Sequence, residues 1–372
     1  MLFVLATFST LTIWSTDPFV DRAYEWSVFL LAAWVCLTGS RFRWRFVAPI
    51  AVLALWGFCQ WGLGATVDRE ATLNASLRFA AYAATSLVAC VMLRTSRARA
   101  GFLVAFVWLG LAVGMLGVLA YYTSRGKILW LIDAPYPDVW GPFLSRNNFA
   151  QFLELTLPVA LWRAFSTQQW IYAAAAAGIL AAGLASASRA GAILLITETC
   201  LAFVIVKQQD WKKGLGFAAL TALLAGVLGA ATLVGRFAQT SPFAGRAQIY
   251  RATVALIETR PWQGYGLGTY ASVYPEFAEI DLGYKIDHAH NDALEFLAEG
   301  GVGFLIAGAC WVFPIARKSL FLPWAWGIPV VLAHSLVDYP LARFGIAAWV
   351  FILLGAVEAT DVRASHFLRR ST

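Results

Sequence analysis

Apolar runs of roughly 17 to 22 residues recur along this sequence, each long enough as a helix to cross about 30 Å of hydrocarbon. A bilayer core offers no water to backbone amides, so such runs satisfy their hydrogen bonds internally as helices. Twelve spans are expected, at 2–15, 23–39, 46–65, 72–93, 102–122, 148–165, 170–186, 191–206, 215–234, 294–313, 321–338 and 341–358. The first apolar run, Leu2 to Trp14, has no basic leader and no small-residue cleavage site, and reads as a retained span. The expected fold class is an all-α polytopic membrane protein of about 12 transmembrane helices, one integral domain over 1–372 with a small helical cap over 235–293.

The connections alternate in charge. RFRWR (41–45), RTSRAR (94–99), KQQDWKK (207–213), ARK (316–318) and VRASHFLRR (362–370) are basic and fall on one side. Basic loops stay in the cytoplasm, which puts both termini there. With Arg163 that side holds 15 Lys and Arg against three acids, while the other holds 13 against 16. The net charge of +7 therefore reads as topology, and no nucleic-acid partner is expected. Cys36, Cys59, Cys90, Cys200 and Cys310 all lie in apolar runs, so no disulfide framework is expected.

Only 13% of residues are charged, so a polar cluster stands out. The long interruption from Gly235 to Gly300 contains RAQIYRATVALIE (246–258), which predicts a helix, then RPWQGYGLG (260–268). It ends in DHAHNDALEFLAEGG (287–301). Asp292 with Glu295 makes an N-cap pattern, predicting a helix that begins at Asp292. His288, His290 and Asn291 then precede a helix N-terminus, whose dipole disfavours imidazolium and attracts anions. These residues can also simply cap the helix. Flanked by Asp287 and Asp292, and with Glu279 and Asp281 nearby, the histidines suggest a metal site as a rival reading. No HExxH or Cys/His cluster supports it, and no metal or cofactor is expected.

Arginines recur on the same side. Arg246 and Arg251 are five apart on the predicted cap helix, Arg146 precedes Asn147 and Asn148, and Arg189 sits in SASRAG between two spans. Converging guanidinium groups suit a diphosphate, whereas each alone is an interfacial anchor. Within the spans, Asn147, Gln151 and Glu154 share one helix face, and Glu198 lies about two turns below Gly191. His334 and Asp338 are four apart, which predicts that this carboxylate orients that imidazole. AAAAAG (173–178) suits close helix packing.

In this order, GPFLSRNNFAQFLELTLP (141–158), SASRAGAILL (186–195), GRAQIYRATVALIETRPWQGYGLGTY (245–270), DHAHNDALEFLAEGGVGF (287–304) and, more weakly, HSLVDYPL (334–341) resemble the O-antigen ligase superfamily. That superfamily includes O-antigen ligases, O-antigen polymerases and protein O-oligosaccharyltransferases. The resemblance implies a GT-C-like glycosyltransferase bundle in the bacterial inner membrane, with its site on the periplasmic face. The implied donor is a glycan on undecaprenyl diphosphate. A ligase would pass the glycan to lipid A–core oligosaccharide, and a polymerase to another lipid-linked repeat.

Carried over by position, Arg246 matches the cap-helix arginine, and His290 the histidine of the His-Asn pair. Arg146 and Asn148 match the loop before a middle span, and Arg189 the Ser-Arg element. Tyr250 stands where the family usually has Trp, and Arg251 and His288 occupy variable positions. The expected roles are His290 as base for the acceptor hydroxyl and Arg146, Arg189, Arg246 and Arg251 as the diphosphate cradle. Asn148, His288, Asn291, Glu154, His334 and Asp338 are expected to support them. A transporter or flippase is the alternative from another class. It would place ionisable groups near the bilayer midplane and show two similar halves, which this sequence does not.

Overall fold

The computed structural model describes residues 1–40, 42–136, 138–205, 211–238, 244–280, 283 and 285–361. Arg41, residues 207–210 and 362–370 of the basic connections, and Asp281 of the acidic pair lie outside the described residues. The chain begins with α1 (Leu2–Leu11), α2 (Pro18–Leu37), α3 (Trp44–Gly62), α4 (Arg69–Met92) and α5 (Ser96–Thr123). A central group follows: α6 (Arg146–Thr167), α7 (Trp170–Ala185), α8 (Arg189–Ile205), α9 (Trp211–Val227) and α10 (Ala231–Phe237). The last five are α11 (Ala244–Thr259), α12 (Tyr270–Val273), α13 (Asp292–Ser319), α14 (Gly327–His334) and α15 (Phe344–Glu358).

Four of these, α3, α4, α5 and α13, are long and apolar enough to cross a membrane. Lys212–Val227 with Ala231–Phe237 makes a fifth if that pair, bent by 82°, is one span. The twelve expected spans are therefore not all present as full-length apolar helices. Several apolar runs form short helices instead, as in α1, α7 and α15. The loop after α5 also departs from a purely helical fold, since Lys127–Ile128 pairs antiparallel with Ile132–Asp133.

Polar side chains set where helices start. Asp17 precedes Pro18 and accepts the Phe19 amide, Asp68 accepts the Ala71 amide at 3.0 Å, and Thr95 accepts that of Ala98 at 3.2 Å. α6 is buried without interruption from Asn148 to Leu161 and α15 from Phe344 to Val357, so both are central. Trp349 of α15 is fully buried and stacks on Phe106 at 4.6 Å, while its indole donates to Thr10 at 2.8 Å. Helices around this centre turn Trp26, Leu30, Trp34 and Leu223 outward.

Small residues bring the inner helices close. A Cβ on Gly191 of α8 would lie 2.5 Å from the Ala150 Cβ of α6, so this crossing needs glycine. The order of elements gathers the starts of α4, α6, α8, α13 and α15 at the end of the bundle where α3, α5, α7 and α14 stop. α11 and the segments around it carry a second small core of Ile249, Leu256, Tyr265, Tyr270, Tyr274 and Ile286 at that same end.

Candidate functional site

The site starts at the first turn of α13. The cap is Asn291, not Asp292: its side chain accepts the Leu294 amide at 3.1 Å and donates to the Leu336 carbonyl at 2.8 Å. Asn has the better reach here because Asp292 is buried behind it, accepting the Leu341 amide at 3.1 Å. The Asp292 amide in turn donates to the Ser335 carbonyl at 2.9 Å. Two adjacent residues thus fasten α13 to the 335–341 segment. His290, just before them, has φ of 52°, a left-handed conformation unusual for histidine. The Tyr250 hydroxyl of α11 donates to its carbonyl at 2.9 Å and holds it there.

Each of the three described histidines places Nδ1 against one carboxylate. His290 meets Asp338 at 3.1 Å, His288 meets Glu295 at 2.8 Å, and His334 meets Glu154 at 2.7 Å. An ionised carboxylate only accepts, so Nδ1 is the donor in each pair. The expected His334–Asp338 pair does not form. α14 ends at His334, so four residues further on the chain has left the helix and Asp338 turns to His290. Access separates the three: the side chains are 31% exposed for His290, 19% for His288 and 1% for His334. His334 and Glu154 are therefore an internal tie between α14 and α6.

Charge around His290 is concentrated. Burial alone would raise the Asp338 carboxyl, but its bond to His290 and the charges of His290, His334 and Arg246 outweigh this and hold it below its ordinary range. Arg246 sits one turn before Tyr250 on α11, and its charge also acts on His334 and on Tyr250. Burial first, then the Asp338 charge, pushes the Tyr339 hydroxyl up to about 12, which keeps the ring neutral. That ring stacks on His288 at 4.2 Å and meets His290 edge-on at 5.0 Å.

A second cationic group gathers beside α6. Arg146 pairs with Asp138 at 3.0 Å, and Arg189 donates to the Arg236 carbonyl at 3.3 Å. The charges of Arg146, Arg189 and Asp138 all act on the Arg236 guanidinium. The SASRAG turn places Arg189. Ser188 accepts the Gly191 amide at 3.2 Å and donates to Asn147 of α6 at 2.9 Å. Asn148 is buried and donates to Gln151 at 2.9 Å, one turn above Glu154.

The structure thus brings Arg146 and Arg189 together, and His290, Asp338 and Arg246 together. α6 links the two groups, since its Glu154 holds His334 and lies in the field of Asp338. Arg251 is exposed on α11 and belongs to neither. Sequence reasoning missed Arg236, Asp138 and Tyr339. An arginine two residues past an expected span looks like an anchor, and one tyrosine among 12 carries no signal. Among the described residues, no group of three or more His, Cys, Asp or Glu side chains comes together to hold a metal.

The glycine-rich and Glu-Gly-Gly motifs explain each other. At Gly301, φ is 73° and ψ is −179°, which breaks α13. The 260–268 loop fills the break: Tyr265 and Gly266 donate to the Ala298 and Glu299 carbonyls, and Val302 donates to that of Pro261. A Cβ on Gly301 would stand 2.1 Å from the Trp262 oxygen. The Glu299 carboxylate accepts the Tyr270 amide at 2.9 Å, and Gln60 of α3 donates to the Gln263 and Glu299 carbonyls.

The O-antigen ligase family matches residues 173–312, a stretch that holds Arg189, Arg236, Arg246, His288 and His290. A general O-oligosaccharyltransferase of Acinetobacter baylyi is 25% identical over 329 residues, covering 79% of this chain and 52% of that protein. These matches support a place in the O-antigen ligase superfamily. The chain holds four helices long and apolar enough to cross a membrane among the described residues. It spans about half the length of the curated relative it matches. Asp338 and His334 fall beyond the matched family region, so the partner of His290 comes from a later segment of the chain.

Proposed function

We propose that this protein is an inverting glycosyltransferase of the O-antigen ligase superfamily that moves a glycan from undecaprenyl diphosphate to a hydroxyl of lipid A–core oligosaccharide on the periplasmic face. The observation that carries this reading is the His290–Asp338 pair in the field of Arg246, linked through α6 to the Arg146–Arg189–Arg236 group. His290 Nε2 takes the acceptor proton, and the oxygen attacks the anomeric carbon. The bond to the diphosphate breaks as the new one forms, so the configuration inverts. Asp338 holds the imidazole in the basic tautomer and steadies the imidazolium. The bonding electron pair stays on the oxygen of the leaving undecaprenyl diphosphate, and the planar guanidinium groups of the arginines donate to its oxygens and offset the charge that develops there. A polyprenyl diphosphate is already activated, so the reaction calls for no nucleotide.

Purified protein supplied with undecaprenyl-diphosphate glycan and lipid A–core tests the assignment. Glycan on lipid A–core is the expected product, and its absence with intact donor would remove the proposal. Cells lacking the gene separate ligase from polymerase: bare lipid A–core supports the ligase, and core bearing single repeats supports the polymerase. The Acinetobacter relative favours a second reading, in which the acceptor is a hydroxyl of another kind served by an O-oligosaccharyltransferase.

A further inference from the structure

Against His288, whose ring stacks on Tyr339, lies a cavity of 290 Å³ that the mechanism above does not use. One face of α4 lines it, with Asn74 and Arg78 spaced a turn apart, and Glu295 of α13 and His288 close it. A smaller cavity of 80 Å³ adjoins it, sharing Arg78, His288 and Ala342 and adding hydroxyls from Ser9, Thr12 and Ser15. The lining therefore mixes guanidinium, imidazole, amide, carboxylate and hydroxyl groups with alanines and the rings of Phe79, Tyr82 and Phe296. Such a mixture in a concave space suits a compact ligand rich in hydroxyls.

The polar groups here are held in position. Arg22 donates to the Asn74 side-chain oxygen, and Arg78 lies 3.8 Å from Asp21 and over the Phe344 ring at 5.8 Å. The Arg78 Nε is buried with no hydrogen-bond partner among the described residues. Glu295 fixes His288 through Nδ1, leaving Nε2 to accept a hydrogen bond. Tyr339 touches both imidazoles, so the cavity is one ring away from His290. None of its lining residues belongs to the Arg146–Arg189–Arg236 group.

We propose that this cavity is the acceptor subsite, and that it holds a sugar of the acceptor through Arg78, Asn74 and His288 while a neighbouring hydroxyl reaches His290 around Tyr339. The inference rests on the glycosyl-transfer reading and assigns the two half-buried histidines different work: His290 takes the proton and His288 binds the acceptor. It also favours a saccharide acceptor over a serine or threonine of a protein, because Arg78, Asn74, His288 and Glu295 together offer partners for several hydroxyls on one ring.

The test uses the full chain in lipid nanodiscs, with undecaprenyl-diphosphate glycan as donor and lipid A–core as acceptor. Arg78→Ala and Ala271→Trp, the latter filling the cavity from a half-buried position, should each raise the acceptor KM at least tenfold. The donor KM should stay within twofold. Acceptor KM unchanged in both variants, or a shift confined to the donor KM, would overturn the proposal. Binding of delipidated core oligosaccharide to His290→Ala protein, measured by calorimetry, separates this idea from the reaction itself. Binding that disappears in His290→Ala/Ala271→Trp supports the subsite even if wild-type protein transfers nothing. No binding of the oligosaccharide to His290→Ala, or binding that Ala271→Trp leaves intact, would reject it. So would transfer to a serine peptide that both variants leave unchanged.

Discussion

His290 is held from two directions, by Tyr250 on its carbonyl and by Asp338 on its ring. A left-handed backbone costs a non-glycine residue about 1–2 kcal/mol, so the tyrosine bond has a conformation to maintain. Tyr250→Phe should lower stability by about 0.5–1.5 kcal/mol and slow turnover, read from thermal unfolding and kcat. Unchanged kcat would show that the backbone holds itself. Asp338→Asn should lower kcat by about 10- to 100-fold with the donor KM intact, because the ring loses its orientation. Asp338 is held below its ordinary pKa, so its contribution to stability is present above about pH 4 and is lost as the pH falls through the folded value. The melting difference between wild type and Asp338→Asn should therefore shrink as the pH is lowered from 5 to 3. A constant gap would mean the carboxylate acts only by shape.

Among the elements, the break in α13 decides whether the cap segment can seat. Gly301 takes a backbone conformation that only glycine adopts readily, directly against the Trp262 carbonyl. Gly301→Ala should cost on the order of 1–3 kcal/mol or more and lower the unfolding temperature in detergent. An unchanged midpoint would show that the 260–268 loop is not docked there. The elements themselves were largely legible. The helix expected over 246–258 is α11 (Ala244–Thr259), and the helix expected from Asp292 begins there with its cap one residue earlier. The partners were not. Glu154 and His334 are 180 residues apart, and nothing local in either segment signals the other. The His334–Asp338 expectation failed because i,i+4 spacing holds only where the helix continues.

For the whole molecule, hydropathy identified an apolar helical bundle, in which four of the described helices, or five with the bent pair, are long and apolar enough to cross a membrane. A run of apolar residues marks burial equally well in lipid and in protein, and α15 is enclosed by its neighbours along its length. The convergence of arginines belongs to this scale too. Arg146, Arg189 and Arg236 come from α6, α8 and α10, which only the assembled bundle brings together. On the proposed mechanism these guanidinium groups supply the positive charge for a departing diphosphate, so transfer should proceed at full rate in EDTA. Loss of activity that Mg²⁺ or Mn²⁺ restores would refute that role. Arg189→Ala or Arg236→Ala should raise the donor KM by about 10-fold or more, as expected for losing a charge-assisted contact.

The most direct measurement compares donor binding with transfer in His290→Ala protein. Undecaprenyl-diphosphate glycan should bind it as tightly as wild type, while transfer to lipid A–core falls by about 10²-fold or more. Transfer at the wild-type rate, from protein shown to be folded, would contradict the assignment of His290 as the base.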